Sequence, residues 1–347
     1  TFRRWLHQAN PGLTKVLVDA IGDAVLDDAM AIEKLVALKD DAALQSNLAA
    51  VRKANKAALA RLVTERLGII INPDALFDVH IKRIHEYKRQ LLNALRIVVL
   101  YNRLRENPTL EMAPRTFFFA GKAAPAYRLA KLVIKFIHSL AATIDGDPAI
   151  RGRLKVLFLP EYDVSLAQRI IPASDVSNQI STAGYEASGT SNMKFMINGA
   201  LTLGTRDGAT IEMAQEAGEK NLFLFGLTAA QVVGSREWYN PRWHYDHEPE
   251  TRAALDLIRS SHFDGSEPEV FAPLFDTLLT HGDHYMHLAD LRSYLDADER
   301  VRKLYANPDD WALMAILNIA AAGKFSSDRA IAEYSAQIWK AKPCPVM

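Results

Sequence analysis

Cysteine is almost missing from this chain. Cys344, close to the C-terminus, is the only one in 347 residues, which excludes an internal disulfide and suits a reducing compartment. Long apolar runs are missing too, and none approaches the roughly 18 residues that a membrane-spanning helix needs. The first residues, Thr1-Phe2-Arg3-Arg4-Trp5-Leu6-His7-Gln8, are too polar for a secretory signal. Charge of one sign is also lacking: Lys plus Arg and Asp plus Glu stand at 41 each, so nothing electrostatic points to nucleic acid or an anionic membrane. A soluble, cytoplasmic protein is expected.

Several motifs are absent as well. There is no G-x-G-x-x-G, and the Gly121-Lys122 pair lacks the upstream glycine of a Walker A loop, which disfavours nucleotide binding of those two kinds. Ser191-Asn192-Met193-Lys194 fits S-x-x-K, but the Ser-Asp-Asn and Lys-Thr-Gly partners of a serine β-lactamase do not occur. His281, His284 and His287 are spaced by threes, as are His244 and His247. With no cysteine near them and no dedicated carboxylate pattern, surface or capping roles are preferred to zinc, and no metal is expected.

Hydrophobic residues make up 49% of the chain, enough for a substantial core, and the length suggests about two domains. Helical patterns run over roughly 12–21, 24–38, 41–67 and 85–105. Strand-like segments stand at 75–81, 115–120, 154–159 and 221–225, with helices near 124–143, 164–170 and 228–235 between and after them. Short apolar β-rich runs alternating with helices of crossover length predict an α/β fold, a Rossmann-like doubly wound parallel sheet covered on both faces. Ligands of such sheets sit at the carboxyl ends of the strands. There the reading places Tyr162, Gly121-Lys122 and the 186–194 turn. A core over about 70–240 and a helical extension over about 249–347 are expected, with a surface loop at 145–153.

Glu186-Ala187-Ser188-Gly189-Thr190-Ser191-Asn192-Met193-Lys194 puts a turn rich in backbone N–H donors directly before a lysine. Small residues let an anion approach the backbone, and Asn192 to Ile197 reads as the start of a buried helix. Such a cluster also reads as an ordinary helix cap. Lys194 is then either a charge partner or an amine able to form a Schiff base with pyridoxal phosphate. A second segment, Ile81-Lys82-Arg83-Ile84-His85-Glu86-Tyr87-Lys88-Arg89-Gln90, crowds cations between a strand and the apolar run Leu91 to Tyr101. Basic runs are usually solvated faces, but here the chain is entering a core helix, which aims the cations into a site. His85 is given a structural hydrogen-bonding role. Trp238-Tyr239 and Trp243-Tyr245 suit a sugar platform or the packing of an irregular loop.

Both segments resemble signatures of the α-glucan phosphorylases (glycogen, starch and maltodextrin phosphorylase), at 82–93 and 186–195. The likeness extends through Arg3-Arg4-Trp5-Leu6, Asn10-Pro11-Gly12-Leu13, Phe77-Asp78-Val79, Gly121 to Pro125, Gln179 to Gly184, Asn198 to Thr202 and Gly323 to Arg329. Family members are hexosyltransferases that cleave terminal α-1,4-linked glucose with orthophosphate to give glucose 1-phosphate, with retention. They enclose glucose between two Rossmann-like lobes, the glycosyltransferase-B architecture, and are about twice this length. The resemblance therefore implies that residues 1–347 are the C-terminal, cofactor-binding lobe. The start at Thr1 without an initiator methionine is expected to reflect a cut inside a longer protein. The N-terminal lobe would carry the remaining glucose contacts, the glucan channel and any allosteric sites, and the full-length protein would be a homodimer.

Residue by residue, the resemblance implies pyridoxal 5′-phosphate covalently bound to Lys194. Lys82 and the backbone of Thr190 and Ser191 would hold its phosphate, with Tyr162 also touching the cofactor. Arg83 and Lys88 would bind substrate phosphate. Glu186, with Ser188 and Gly189 backbone groups, would bind glucose hydroxyls, and Tyr87 would help at the sugar. Two phosphates in one site repel by about 3 kcal/mol per unit-charge pair at ~5 Å and an effective dielectric near 20, so they need a shared proton and surrounding cations. The sequence departs from the family pattern at Ser191 for glycine, Thr210 for asparagine and Phe2 for proline. Two other readings stay open: a nucleotide-sugar glycosyltransferase of the same architecture without a covalent cofactor, and a pyridoxal-phosphate-binding fragment that turns over no glucan.

Overall fold

The computed structural model describes residues 2–265, 267–342 and 344. The chain opens with helices α1 (Pro11–Ile21), α2 (Ala24–Asp27) and α3 (Ala42–Leu67). The expected helix over 24–38 is broken at Asp28, which adopts an extended conformation and caps Met30 N–H with its side chain, and a 3-10 stretch, Ala29–Leu38, follows. The α/β region then runs β1 (Leu76–Ile81), α4 (Gln90–Glu106), β2 (Arg115–Ala120), α5 (Arg128–Gly146), β3 (Leu154–Leu159), α6 (Val164–Ile170), β4 (Val176–Gln179), α7 (Ser191–Ile197), β5 (Leu201–Thr205), α8 (Thr210–Ala217) and β6 (Phe223–Phe225). Helices α9 (Ala229–Ser235), α10 (Pro241–His247), α11 (Pro249–Arg259), α12 (Ala272–Leu279), α13 (His287–Tyr305), α14 (Pro308–Ala321) and α15 (Ser327–Glu333) complete it.

The six strands form one parallel sheet in the order β3-β2-β1-β4-β5-β6. The order reverses between β1 and β4, which opens a crevice at the carboxyl ends of those two strands. Alternating side chains go to opposite faces. Phe117 and Phe119 pack with α4, α5, α11, α12 and α13. Phe77, Val79 and Phe118 pack with α1, α3, α6, α7 and α14. Helices α11 to α14, beyond residue 249, thus share hydrophobic clusters with the sheet itself.

The strand-like segments 75–81, 115–120 and 154–159 coincide with β1, β2 and β3 to within a residue, whereas 221–225 begins in a 3-10 turn, Glu219–Asn221, and is strand only over Phe223–Phe225. The two strands at the centre of the sheet beyond the switch, β4 and β5, carry too many polar residues to be found by apolar runs. The polar side chains of β4 are satisfied internally: Asn178 Nδ2 donates to Asp78, Tyr294 donates to Asn178 Oδ1 at 2.6 Å, and Gln179 Nε2 donates to Ser177 Oγ at 2.8 Å. Thr202 Oγ1 of β5 is buried without a partner among the described residues. The helix expected from 85 starts at Gln90, because Arg89 takes a left-handed conformation (φ 58°). Its buried guanidinium donates to Ile180 O (2.7 Å), Ser181 O (3.2 Å), Met286 O (3.1 Å) and Asp290 (2.7 Å), tying the end of β4 to the start of α13.

On one face of β1, Asp78 is fully enclosed and takes two 3.0 Å hydrogen bonds from Arg96 of α4 and further ones from Arg115 of β2. Both arginines also reach Asp298 of α13, at 2.8 and 2.7 Å. Burial alone would raise the Asp78 carboxyl, but the two guanidiniums outweigh it and hold it below the ordinary range. Two anions and two cations neutralise one another across four elements. Asp78→Ala should therefore lower stability by about 3–5 kcal/mol in urea unfolding, since it strands buried guanidiniums without their shared acceptor. A loss under about 1 kcal/mol would mean that the network is dispensable.

Candidate active site

At the crevice, β1 ends on Ile81 and delivers Lys82. Lys82 N–H bonds Ala120 O at 3.0 Å and Ile84 N–H bonds Lys122 O at 3.1 Å, so the basic segment continues beside the end of β2. Gly121 permits this approach. A Cβ there would stand 1.8 Å from Lys82 O, at a φ of +156°. The chain then turns through Glu86–Lys88 before α4, with His85 Nδ1 accepting from Tyr87 N–H at 3.4 Å, the structural role expected for it.

The turn brings Lys88 onto Glu186 of the β4–α7 loop, where the two are directly hydrogen-bonded, and Lys82 Nζ lies 3.8 Å from the same carboxylate. The Lys88 ammonium also sits 4.6 Å over the Tyr87 ring, which stacks on Tyr185 at 6.1 Å. Lys82, Tyr87 and Lys88 of the basic segment thus form one cluster with Glu186, which is 98 residues beyond Lys88. Burial drives the Lys82 ammonium down to about 8, against the pull of Glu186. Burial would raise the Glu186 carboxyl, but the hydrogen bond from Lys88 and the charges of Lys82 and Lys88 hold it below the ordinary range, with a smaller contribution from Arg83. Arg83 itself is exposed, and among the described residues its side chain makes no hydrogen bond or ion pair.

Beyond Glu186, the backbone N–H groups of Ser188, Gly189, Thr190 and Ser191 meet no acceptor among the described residues. Thr190 precedes α7 without capping it through its side chain, so the ordinary-cap reading of this turn does not hold at Thr190. Lys194 lies one helical turn on. It shares the wall of a cavity of about 440 Å³ with Ser188, Thr190, Met193, Phe2 and Trp5, and its ammonium sits 4.9 Å over the Trp5 ring. Burial, and then the charge of Arg4, lowers its basicity. Tyr162, just past β3, packs against the same hydrophobic cluster that holds Trp5 and Phe195, and burial pushes its phenol up to about 12. Among the described residues its hydroxyl bonds no other site residue.

Of the histidines given surface or capping roles, His247, His281 and His284 are exposed, whereas His287 is buried with Nδ1 on Asp283 at 2.7 Å and His244 pairs with Glu248 at 3.0 Å, contacts between side chains that cap no helix end. Tyr239 donates to Asp283 at 2.8 Å and so serves packing, whereas Trp238 and Trp243 are exposed. The sequence reading missed Asp207, which follows β5 and reaches under the β4–α7 loop, and Trp5 beneath Lys194. An Asp-Gly pair just past a buried strand end was the available signal for the first. None pointed to the second.

Two buried lysines share one carboxylate at the switch point, and the loop that carries this carboxylate goes on to a row of free backbone donors, groups that suit an anion in a Rossmann-like α/β fold. The chain matches the carbohydrate phosphorylase family over residues 1–341 and belongs to that family. It is similar to the brain form of glycogen phosphorylase from Bos taurus, 49% identical over 344 residues, which covers 99% of this chain and 41% of that protein. The brain form from Ovis aries matches over the same shares at 49%. Glycogen phosphorylase from Chlamydia pneumoniae is 47% identical over 339 residues, covering 98% of this chain and 41% of the relative. The chain therefore spans about two fifths of the length of these relatives. None of the helices among the described residues is long and apolar enough to cross a membrane.

The depressed Lys82 ammonium makes anion affinity depend on pH in a defined direction. Lys82 is charged below about 8 and loses its proton above it, so inorganic phosphate should bind progressively more weakly, up to about tenfold per pH unit, once that value is passed. Calorimetric titration of phosphate into the protein should show this fall, and Lys82→Met should remove it. A wild-type affinity constant from about pH 7.5 to about 9.5 would place the anion elsewhere.

Proposed function

We propose that this chain is the C-terminal, cofactor-binding lobe of an α-glucan phosphorylase, which releases terminal α-1,4-linked glucose as glucose 1-phosphate with retention. The observation that carries the reading is the pairing of Lys82 and Lys88 with Glu186, on a loop whose next residues, 188–191, keep their N–H groups free and lead into the helix of Lys194. The names of the relatives, glycogen phosphorylases, agree with it. On this reading the complete enzyme is a cytoplasmic homodimer in which a second lobe closes the crevice.

The residues fit pyridoxal 5′-phosphate. Lys194 is an amine of lowered basicity on a cavity wall floored by an indole, as attachment of an aromatic aldehyde requires. When bound, the cofactor supplies a second phosphate group that exchanges a proton with orthophosphate. The chain's own residues do the rest. Lys82 and the Thr190 and Ser191 N–H groups hold the cofactor phosphate, and Lys88 and Arg83 hold orthophosphate beside it. A phosphate oxygen forms the new bond to the anomeric carbon as the glycosidic C–O bond breaks, and the leaving oxygen takes the proton of orthophosphate. Glu186 and the Ser188 and Gly189 N–H groups orient the glucose hydroxyls through an oxocarbenium-like transition state. Tyr87 borders the sugar, and Tyr162 helps to pack the cofactor.

Borohydride reduction of the cofactor-loaded protein, followed by peptide mapping, should place a pyridoxyl group on Lys194. An adduct on Lys82 or Lys122 would sink the assignment. The alternative of a nucleotide-sugar glycosyltransferase predicts no adduct at all. In the complete enzyme, Arg83→Ala and Lys88→Ala should each weaken use of orthophosphate roughly 10- to 150-fold while keeping the cofactor, as loss of a charge-assisted contact of about 1.5–3 kcal/mol implies. Lys194→Ala should lose cofactor and activity together. If Arg83→Ala released cofactor and left phosphate kinetics intact, the division of roles would be wrong.

A further inference from the structure

We propose that Asp207 is the positioning residue of this site, holding the Glu186 segment by its backbone so that the Glu186 carboxylate meets Lys82 and Lys88 and the Ser188–Ser191 donors stay free. Asp207 leaves the end of β5, on the far side of β4 from the basic segment. Its carboxylate takes three hydrogen bonds from one short stretch of chain: Gly184 N–H to Oδ1 at 2.9 Å, and Ser181 hydroxyl and Glu186 N–H to Oδ2 at 2.7 and 2.9 Å. Asp207 is only 7% exposed, and its own N–H is fixed on Thr205 O at 2.9 Å. Thr205 in turn donates its hydroxyl to Ser181 O at 2.7 Å.

The next two residues extend the grip. Gly208 (φ +51°) lies so close that a Cβ would stand 2.6 Å from Ser188 O and 3.0 Å from Glu186 O. Ala209 N–H then bonds Ser188 O at 2.8 Å. The loop after β5 thus holds the site loop at residues 181, 184, 186 and 188, and leaves the donors beyond 188 unpaired. Three donors converging on one buried side chain make this a specific support. An amide in its place would turn an NH2 toward donors. The Asp207 charge also faces the buried Lys82 ammonium, together with Glu186 and against Lys88.

The test uses Asp207→Asn in two arms. In the cofactor-loaded chain, hydrogen exchange across residues 182–190 should accelerate at least tenfold at the Gly184 and Glu186 amides while the sheet peptides stay protected. In the cofactor-free chain, where Lys82 is open to inorganic phosphate, the pH at which phosphate affinity begins to fall should move below its wild-type value, because Lys82 has lost a neighbouring anion. In the complete enzyme, and resting on the phosphorolysis reading, KM for glucose 1-phosphate should rise at least tenfold while kcat per bound cofactor falls less. Unchanged local exchange and an unchanged KM per cofactor-loaded enzyme would overturn the proposal, as would a loss of protection spread evenly over the sheet. If Asp207→Asn does not fold, Ser181→Ala decides, since it removes one of the three donors. It should give a smaller acceleration at the same amides, and none would overturn the proposal. Should the wild-type enzyme show no phosphorolysis, the reaction reading fails, while the exchange and pH arm still decides the role of Asp207.

Discussion

The arrangement rests on the full enclosure of Asp78. A carboxylate at the middle of a sheet is intolerable alone, and Arg96, Arg115 and Asn178 arrive from α4, β2 and β4 to satisfy it. Asp298 pairs with both guanidiniums and Tyr294 donates to the other end of Asn178, which brings in α13. The Arg96 guanidinium is further sandwiched against Phe117 and Tyr294, at 5.2 and 4.6 Å. Because each partner comes from a different element, the network specifies which strands adjoin β1 and where α4 and α13 dock. The crevice at the ends of β1 and β4 follows from that pairing.

Four residues along β1 from Asp78, the same strand delivers Lys82 into a second buried charge cluster, and the two differ in kind. Around Asp78 every charge has a permanent partner, and the buried guanidiniums cannot give up their protons. At the crevice the cations are lysines, whose ammonium groups respond to burial. Lys82 is left with a depressed affinity for its proton and one carboxylate at 3.8 Å. The first cluster is suited to holding elements together and the second to exchanging partners.

Much of this was legible in the sequence. The strands rich in Phe, Val and Leu were read correctly because their residues face apolar helices on both sides, and the basic segment was placed at a strand end because the following run was too apolar for the surface. The β4 strand, Val-Ser-Asn-Gln, was not legible, because its polar side chains are satisfied by residues up to 116 positions away. The same holds for the start of α4, where a buried Arg89 pays for its left-handed backbone with bonds to the chain near residues 180 and 286. Local pattern carries no trace of such partners. For the site, the residue types were legible and the pairings were not: nothing in the spacing of Lys82, Lys88 and Glu186 says that they meet, and Asp207 was hidden in a loop motif where only Thr210 drew notice, as a departure from the family pattern.

The pairing of Glu186 with both lysines has a consequence for how ligands enter. On the phosphorolysis reading, the cations proposed to bind phosphate are paired with the carboxylate proposed to bind sugar hydroxyls. A phosphate that takes Lys88 must displace Glu186, and the released carboxylate then needs new donors in a site where burial already opposes its charge. On that reading sugar hydroxyls are such donors. Phosphate and sugar should therefore help each other to bind, since each removes the penalty that the other creates. That mutual dependence requires the Glu186 backbone to stay in place while its side chain changes partners, which is the condition that a fixed support beneath the loop provides.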